Sequence, residues 1–141
     1  MTDFPDLSLE PARGQVIRVE ASWIRHATMT DEFYILPNQH CVVLGGCKQV
    51  GNFDLNPSKN MEEHIWKGCC NLEPSLKNAK KIKDCVGLRP YRSALRIEID
   101  PENKRIIHNY GHGGSGVTLC WGSALRVTKL ARKTLFEQSK L

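Results

Sequence analysis

The chain has 141 residues, 40% of them hydrophobic and 25% charged, and a formal net charge of +5. That length supports a proper hydrophobic core, and the ordinary apolar and charged shares exclude a disordered or fibrous chain. No apolar run approaches the ~20 residues that span a bilayer; the basic residues, densest at Lys77, Lys80, Lys81, Lys83 and at Arg126, Lys129, Arg132, Lys133, are expected to be solvated faces, so neither membrane nor nucleic acid is an expected partner.

From the N-terminus, Val16, Arg18 and Glu20 alternate with Ile17 and Val19, the pattern of a half-buried strand over 13–20. Residues 33–36 and 41–44 predict two more strands, and the three are expected to share one antiparallel sheet. Asn56-Pro57-Ser58 opens a helix in which Met61, Ile65, Cys69 and Leu72 recur on one face, with Glu62 and Glu63 near its start and Pro74 just past its end. A short helical turn is expected over 75–81, then strands over 95–99 and 105–109 joined by a turn at Asp100-Pro101-Glu102-Asn103. A last helix over 117–137 is expected to bury a stripe of Trp121, Ala124, Leu125, Thr128, Ala131 and Leu135.

The six cysteines, Cys41, Cys47, Cys69, Cys70, Cys85 and Cys120, contain no C-x-x-C pair. They read as reduced, mostly buried small apolar residues rather than a disulfide framework or a zinc site, and no metal is expected.

Between the last strand and the last helix, Gly111, Gly113, Gly114 and Gly116 fall within six positions. Such a loop admits positive φ and lets a ligand approach bare backbone, while the helix behind it offers unpaired N–H groups and the positive end of its dipole. On the residues alone two readings stay open: a cradle for a phosphate or a flavin, and a surface turn. A nucleotide-binding domain would add parallel neighbours and a second such unit, and neither is predicted. Ser139-Lys140-Leu141 has the wording of the address read by the peroxisomal import receptor, so a peroxisomal location is expected, with that receptor as a partner.

Asn109-Tyr110-Gly111-His112-Gly113-Gly114, Thr118, Trp121-Gly122 and Ala124-Leu125, with Gly87-Leu88-Arg89-Pro90-Tyr91-Arg92 and Arg13-Gly14-Gln15-Val16, resemble the D-amino-acid oxidase and D-aspartate oxidase family. The resemblance continues through Leu44-Gly45-Gly46, Gly51-Asn52 and Cys69-Cys70-Asn71-Leu72-Glu73-Pro74. It covers nearly the whole chain but only the later part of a family member, whose N-terminal FAD-binding segment has no counterpart here. It implies an α+β fold. Residues 12–104 would form an antiparallel substrate-binding and interface sheet with flanking helices. Residues 105–138 would be the C-terminal strand, glycine loop and helix of an FAD-binding, Rossmann-like domain, and 139–141 the targeting signal.

The resemblance further implies FAD as cofactor and molecular oxygen as electron acceptor, in the oxidative deamination of D-amino acids to 2-oxo acids with ammonia and hydrogen peroxide. Under it, Arg89 holds the substrate carboxylate with its planar fork, Tyr34 joins that clamp through its hydroxyl, and the Gly114 carbonyl accepts the substrate amine. Gly113, Gly114, Ser115, Gly116, Val117 and Thr118 align with the family's flavin-contacting loop, where N–H groups at a helix start favour the anionic reduced flavin. Hydride leaves the α-carbon, so no residue is assigned as acid or base, and His108 and His112 are expected to orient the loop.

The short stretch from Trp23 to Tyr34 and the wording around Arg89 lean towards D-aspartate and other acidic substrates, and Lys48 falls where the aspartate enzymes carry an arginine for the side-chain carboxylate. Two departures stand out: Thr28 and Met29 lie where those enzymes place another arginine, and Cys120 where relatives usually have histidine. Without the FAD-binding segment, the last strand and helix are expected to expose apolar surface. A homodimer stays open, as do a non-catalytic truncated isoform or peroxisomal interaction module that keeps the dimerisation surface, and an oxidase of secondary amines such as sarcosine or glycine.

Overall fold

Alternation sets the first strand of the computed structural model, which describes residues 5–138: along β1 (Glu10–Glu20), Ile17 and Val19 are buried while Arg18 and Glu20 are exposed. Four short strands follow, β2 (Thr28–Met29), β3 (Tyr34–Pro37), β4 (Val42–Gly45) and β5 (Gln49–Val50). Next come α1 (Lys59–Leu72), a 3-10 turn (Pro74–Asn78), β6 (Lys80–Ile99), β7 (Ile107–His112), a second 3-10 turn (Gly113–Ser115) and α2 (Gly116–Gln138). The fold is α+β, as expected. Ala12–Leu88 forms one compact unit, and the described residues before and after it form a second. The expected targeting tripeptide Ser139-Lys140-Leu141 lies outside the described residues.

In the first unit, β2-β3-β4-β1 is the strand order, and β5 also pairs with β1. Every one of these pairings is antiparallel. Tyr34 stands opposite Gly45 and Ile35 opposite Leu44, so one face buries Ile35 and Leu44 with Ile17, Val19 and Val42 against Ile65, Cys69 and Cys70 of α1. The register on β1 slips by one residue between Gly45 and Gln49, a bulge that Gly46 permits with φ 146°. A side chain at Gly46 would overlap the Glu32 carbonyl. α1 starts at Ser58, whose hydroxyl accepts from the Met61 N–H, and ends where the Glu73 N–H donates to the Cys69 carbonyl, one residue before Pro74.

Arg13 and Gln15 share the inward parity of Ile17 and Val19, and both are fully buried. The guanidinium donates to the Asp54 carbonyl at 2.7 Å, the Asn56 carbonyl at 2.7 Å, Gln49 Oε1 at 2.9 Å and Gln15 Oε1 at 3.2 Å. Gln15 in turn donates to the Ser58 carbonyl and accepts from the Ser58 N–H. A buried cation thus finds oxygens instead of water, and the segment between β5 and α1 folds around it.

In the second unit, β6 pairs with β7 through Arg96↔Tyr110, Ile97↔Asn109, Glu98↔His108 and Ile99↔Ile107, with an irregularity between Tyr91 and Arg96. The expected turn forms at Asp100, whose Oδ1 accepts from the Glu102 and Asn103 N–H groups and whose Oδ2 meets His108 Nε2 at 2.8 Å. Asp6 closes the other side. Its Oδ2 accepts from the Tyr110 hydroxyl at 2.6 Å and pairs with Arg92 Nε at 3.1 Å, while Arg96 Nη1 donates to the Tyr110 oxygen at 2.7 Å.

Five expectations need correction. The strand placed at 95–99 is the end of a strand of 20 residues, concealed because Gly87 and Pro90 break its period. The helical turn placed at 75–81 ends at Asn78, and Lys80 is already in β6. Cys69 and Cys70 are buried, whereas Cys41, Cys47 and Cys85 are half-buried and Cys120 is exposed; Leu72 is exposed too, and the 3-10 turn folds back on α1 so that Cys70 joins the core in its place. The inward stripe of α2 is Ser123, Val127, Leu130 and Thr134, not the expected one: Trp121 is 75% exposed and Leu135 66%, and Ala124, Leu125 and Thr128 are exposed, with Ala131 half-buried. The pairing of Ser123 Oγ with His112 Nε2 at 2.9 Å turns that polar-edged face inward.

Arg13→Met is expected to lower stability in urea by about 3 kcal/mol, since it strands several buried acceptors, and Arg13→Lys to recover little of this because an ammonium lacks the fork. The Tyr110 hydroxyl, the Ser8 N–H and the nearby Arg92 and Arg96 hold the Asp6 carboxyl below its ordinary value. A depressed carboxyl stabilises the fold above its ordinary pKa, and that contribution is lost as pH falls through the depressed one. Asp6→Asn should therefore be less stable than the parent near neutrality, with the gap in denaturation midpoint closing below about pH 4.

Candidate functional site

In the second unit the glycine loop follows β7 directly. Gly111 has φ 92° because Arg92 packs beneath it: a Cβ at Gly111 would lie 3.0 Å from that of Arg92. Gly113, at φ 54°, similarly lies over the Tyr91 ring. Past this point the backbone opens. Among the described residues, a Cβ at Gly114 would have only Arg89 Cδ within 4 Å, at 3.8 Å, and one at Gly116 only His112 Cβ, at 3.8 Å. Gly114, Ser115, Val117 and Thr118 are exposed.

No side chain caps the 3-10 turn that these glycines begin, and no acidic residue stands in the first turn of α2. The start of a helix 23 residues long therefore presents N–H groups and positive dipole to an approaching electron-rich group. That arrangement fits the polar edge of a flavin or any comparable acceptor. Half-buried Arg89, on β6, runs its aliphatic stem past Gly114, so the structure brings the Arg89 side chain beside the glycine loop. His112 ties the loop to α2 through Ser123, and His108 holds the turn of the hairpin through Asp100.

In the first unit Tyr34 is half-buried on β3, on the face of the sheet opposite Ile35 and Leu44. Its ring lies over Gly45, where any side chain would overlap Cζ and Oη. The neighbouring Phe33 ring likewise covers Gly68 of α1. Cys69, from the same helix, directs its thiol to the carbonyls of Tyr34 at 3.5 Å and Gly45 at 3.9 Å. Burial pushes that thiol up to about 11, so it stays protonated and able to donate. Lys48 is exposed just past the bulge, immediately before β5. Thr28 and Met29 form β2, and Met29 pairs with Tyr34 on the edge away from Gly45.

A cavity of about 800 Å³, lined among others by Trp23, Arg25, His40, Cys41 and Lys80 around the β3–β4 turn, takes in none of these residues. Among the described residues no group of three or more His, Cys, Asp or Glu could hold a metal ion. Sequence reasoning passed over Asp6, Arg96 and Gly45. The first two meet Tyr110 only through chain contacts 104 and 14 residues apart. Gly45 carried a signal that was legible, a glycine at the end of a strand followed by a second glycine, which marks a bulge or close approach of another group.

Comparison with known proteins shows the family of the chain. A family model described as FAD dependent oxidoreductase matches residues 1–130. D-aspartate oxidase of Homo sapiens is 39% identical over 132 residues, covering 89% of this chain and 39% of that protein. D-amino acid oxidase of Dugesia ryukyuensis is 39% identical over 142 residues, covering 94% of this chain and 42% of that one. The chain thus spans about two-fifths of the length of these relatives. Among solved structures, glycine oxidase from Geobacillus kaustophilus superposes with a TM-score of 0.81 at 22% identity, over 91% of this chain and 36% of that chain, a likeness of fold. By the extent of these matches, the chain belongs to the family of FAD-dependent oxidoreductases that includes the D-amino-acid and D-aspartate oxidases.

Proposed function

We propose that this chain carries the substrate-binding residues and the flavin-contacting loop of an FAD-dependent oxidase of D-amino acids, with D-aspartate and related acidic D-amino acids as preferred substrates. The observation that carries this reading is the closeness of the Arg89 stem to the open backbone at Gly114, ahead of an uncapped helix start. FAD, when bound, supplies the acceptor for the two electrons and the hydrogen that leave the substrate α-carbon. The polypeptide's part is placement. Gly113 to Thr118 would hold the bound group's electron-rich edge through backbone N–H groups, and the His112–Ser123 pair ties the start of this loop to α2.

Arg89 holds the substrate carboxylate through two parallel N–H donors, and the Gly114 carbonyl receives the amine, which fixes the direction of the α-carbon hydrogen. Tyr34 adds a hydroxyl to the carboxylate clamp, and Lys48 supplies a point charge for a second carboxylate on the side chain. No general base is needed when hydrogen leaves as hydride, and His108 is already engaged with Asp100.

A second reading, a module that works by binding another polypeptide, draws support from α2. Val117 is 89% exposed and Phe136 68%, with Trp121 and Leu135 on the same helix. The helix thus exposes apolar residues as expected, whereas the last strand, β7, does not.

Visible absorption of the purified chain after incubation with FAD, followed by addition of D-aspartate or D-alanine, separates the two readings. Bleaching of bound flavin and release of peroxide, faster with D-aspartate, is the expected result, whereas a folded chain that retains no flavin favours the binding module. Arg89→Leu should keep flavin absorbance and lose about a hundredfold in kcat/KM, as removal of one partner of a charged clamp does. Lys48→Met should reduce the ratio of D-aspartate to D-alanine turnover by about tenfold while leaving D-alanine unchanged.

A further inference from the structure

Gly45 closes β4, paired with Val16 on one side and Tyr34 on the other, and a glycine at a paired strand position marks close approach of another group. Here its cross-strand partner on β3 is that group. Tyr34 stands directly opposite it, with Met29 on the other side, and the tyrosine ring leans over the glycine instead of over the methionine. An added side chain at Gly45 would overlap Cζ and the hydroxyl oxygen, so the end of the ring that carries the reactive group is the part that the glycine seats. Beneath the same pair, Cys69 Sγ addresses both carbonyls from α1, at 3.5 and 3.9 Å.

The backbone under the ring is further pinned at the next residues. Gly46 is held at φ 146° against the Glu32 carbonyl, and the Phe33 ring is locked over Gly68. The ring therefore has one direction to lie in. The covered glycine fixes it from the side, and the thiol and the core residues Ile35 and Leu44 fix the strand pair from below. A hydroxyl that contributes to a substrate clamp must be within a few tenths of an ångström of its place, and supporting residues of this kind provide that accuracy.

We propose that Gly45 is a positioning residue for substrate binding: by leaving the space that the Tyr34 ring occupies, it sets the direction of the Tyr34 hydroxyl, with Cys69 anchoring the pair from α1. The inference rests on the assignment of Tyr34 to the substrate clamp, and the test keeps the two apart.

The full chain is labelled with 13C at tyrosine Cζ, which gives signals from Tyr34, Tyr91 and Tyr110; Tyr34→Phe identifies the first. In Gly45→Ala the Tyr34 signal is expected to move while those of Tyr91 and Tyr110 stay, and the affinity for D-aspartate, read from the signal during titration, to fall about tenfold. Gly45→Ala should cost stability that Tyr34→Ala in the same chain restores, because the ring is what the methyl group meets. Should Gly45→Ala fail to fold, a double variant Gly45→Ala/Tyr34→Ala that folds supports the seat, and one that fails equally overturns it. An unmoved Tyr34 signal in a folded Gly45→Ala also overturns the seat. If D-aspartate binds the parent, as seen by titration calorimetry, yet leaves the Tyr34 signal untouched, the clamp role of Tyr34 falls and the functional half of the inference with it.

Discussion

The guanidinium of Arg13 is the constraint on which the first unit turns. It is a full charge with no water, and carbonyl and amide oxygens from residues 49, 54 and 56 bend inward to meet it. Once they do, Gln15 can seize both polar groups of the Ser58 backbone, and Ser58 begins α1. The helix then lies so that Ile65 and Cys69 enter the sheet core and the Cys69 thiol reaches the Tyr34–Gly45 pair. A single buried cation near one end of β1 is thereby connected, through a loop and about three helical turns, to the side chain proposed for the substrate clamp. Its effect is transmitted by geometry rather than by charge, since the fork aims at oxygens of neutral groups.

The second unit is built on different chemistry. Its hairpin is stitched by carboxylates, Asp6 on one side and Asp100 on the other, with Arg96 and Tyr110 between them. Tyr110 immediately precedes the glycine loop, and Arg92, which pairs with Asp6, is also the residue beneath Gly111. The loop owes its open backbone at Gly114 to this support. Glycines alone would wander, whereas glycines seated on Arg92 and Tyr91 and tied to α2 by His112 hold one shape.

How much of this could be read beforehand follows from which forces act locally. The alternation around Ile17 and the cap and proline bracketing α1 are short-range signals, and both elements stand where the residues place them. β2 and β5 are two residues each and exist only because β3 and β1 offer edges to pair with. β6 was concealed for the opposite reason, being too long and too irregular in exposure to show a period. α2 is apolar on more than one side, so its periodicity permits several inward faces, and the choice among them is made by one bond between Ser123 and His112. In the site, the glycine loop was legible from composition. The closeness of Arg89 to Gly114, and of Tyr34 to Gly45, depends on strand pairing that no local pattern encodes.

The outward face of α2 has an optical consequence. Trp121 stands on that face largely in water, Trp23 is half exposed with its indole N–H bound to Ser75, and Trp66 packs against the core of the first unit. The three indoles thus sample three polarities, and only Trp121 has far to travel along that scale. Whatever covers α2, whether another polypeptide or a second copy, would shift the red-most part of the emission towards the blue and leave the rest in place. The helix carries its own fluorescent gauge of whether it is solitary.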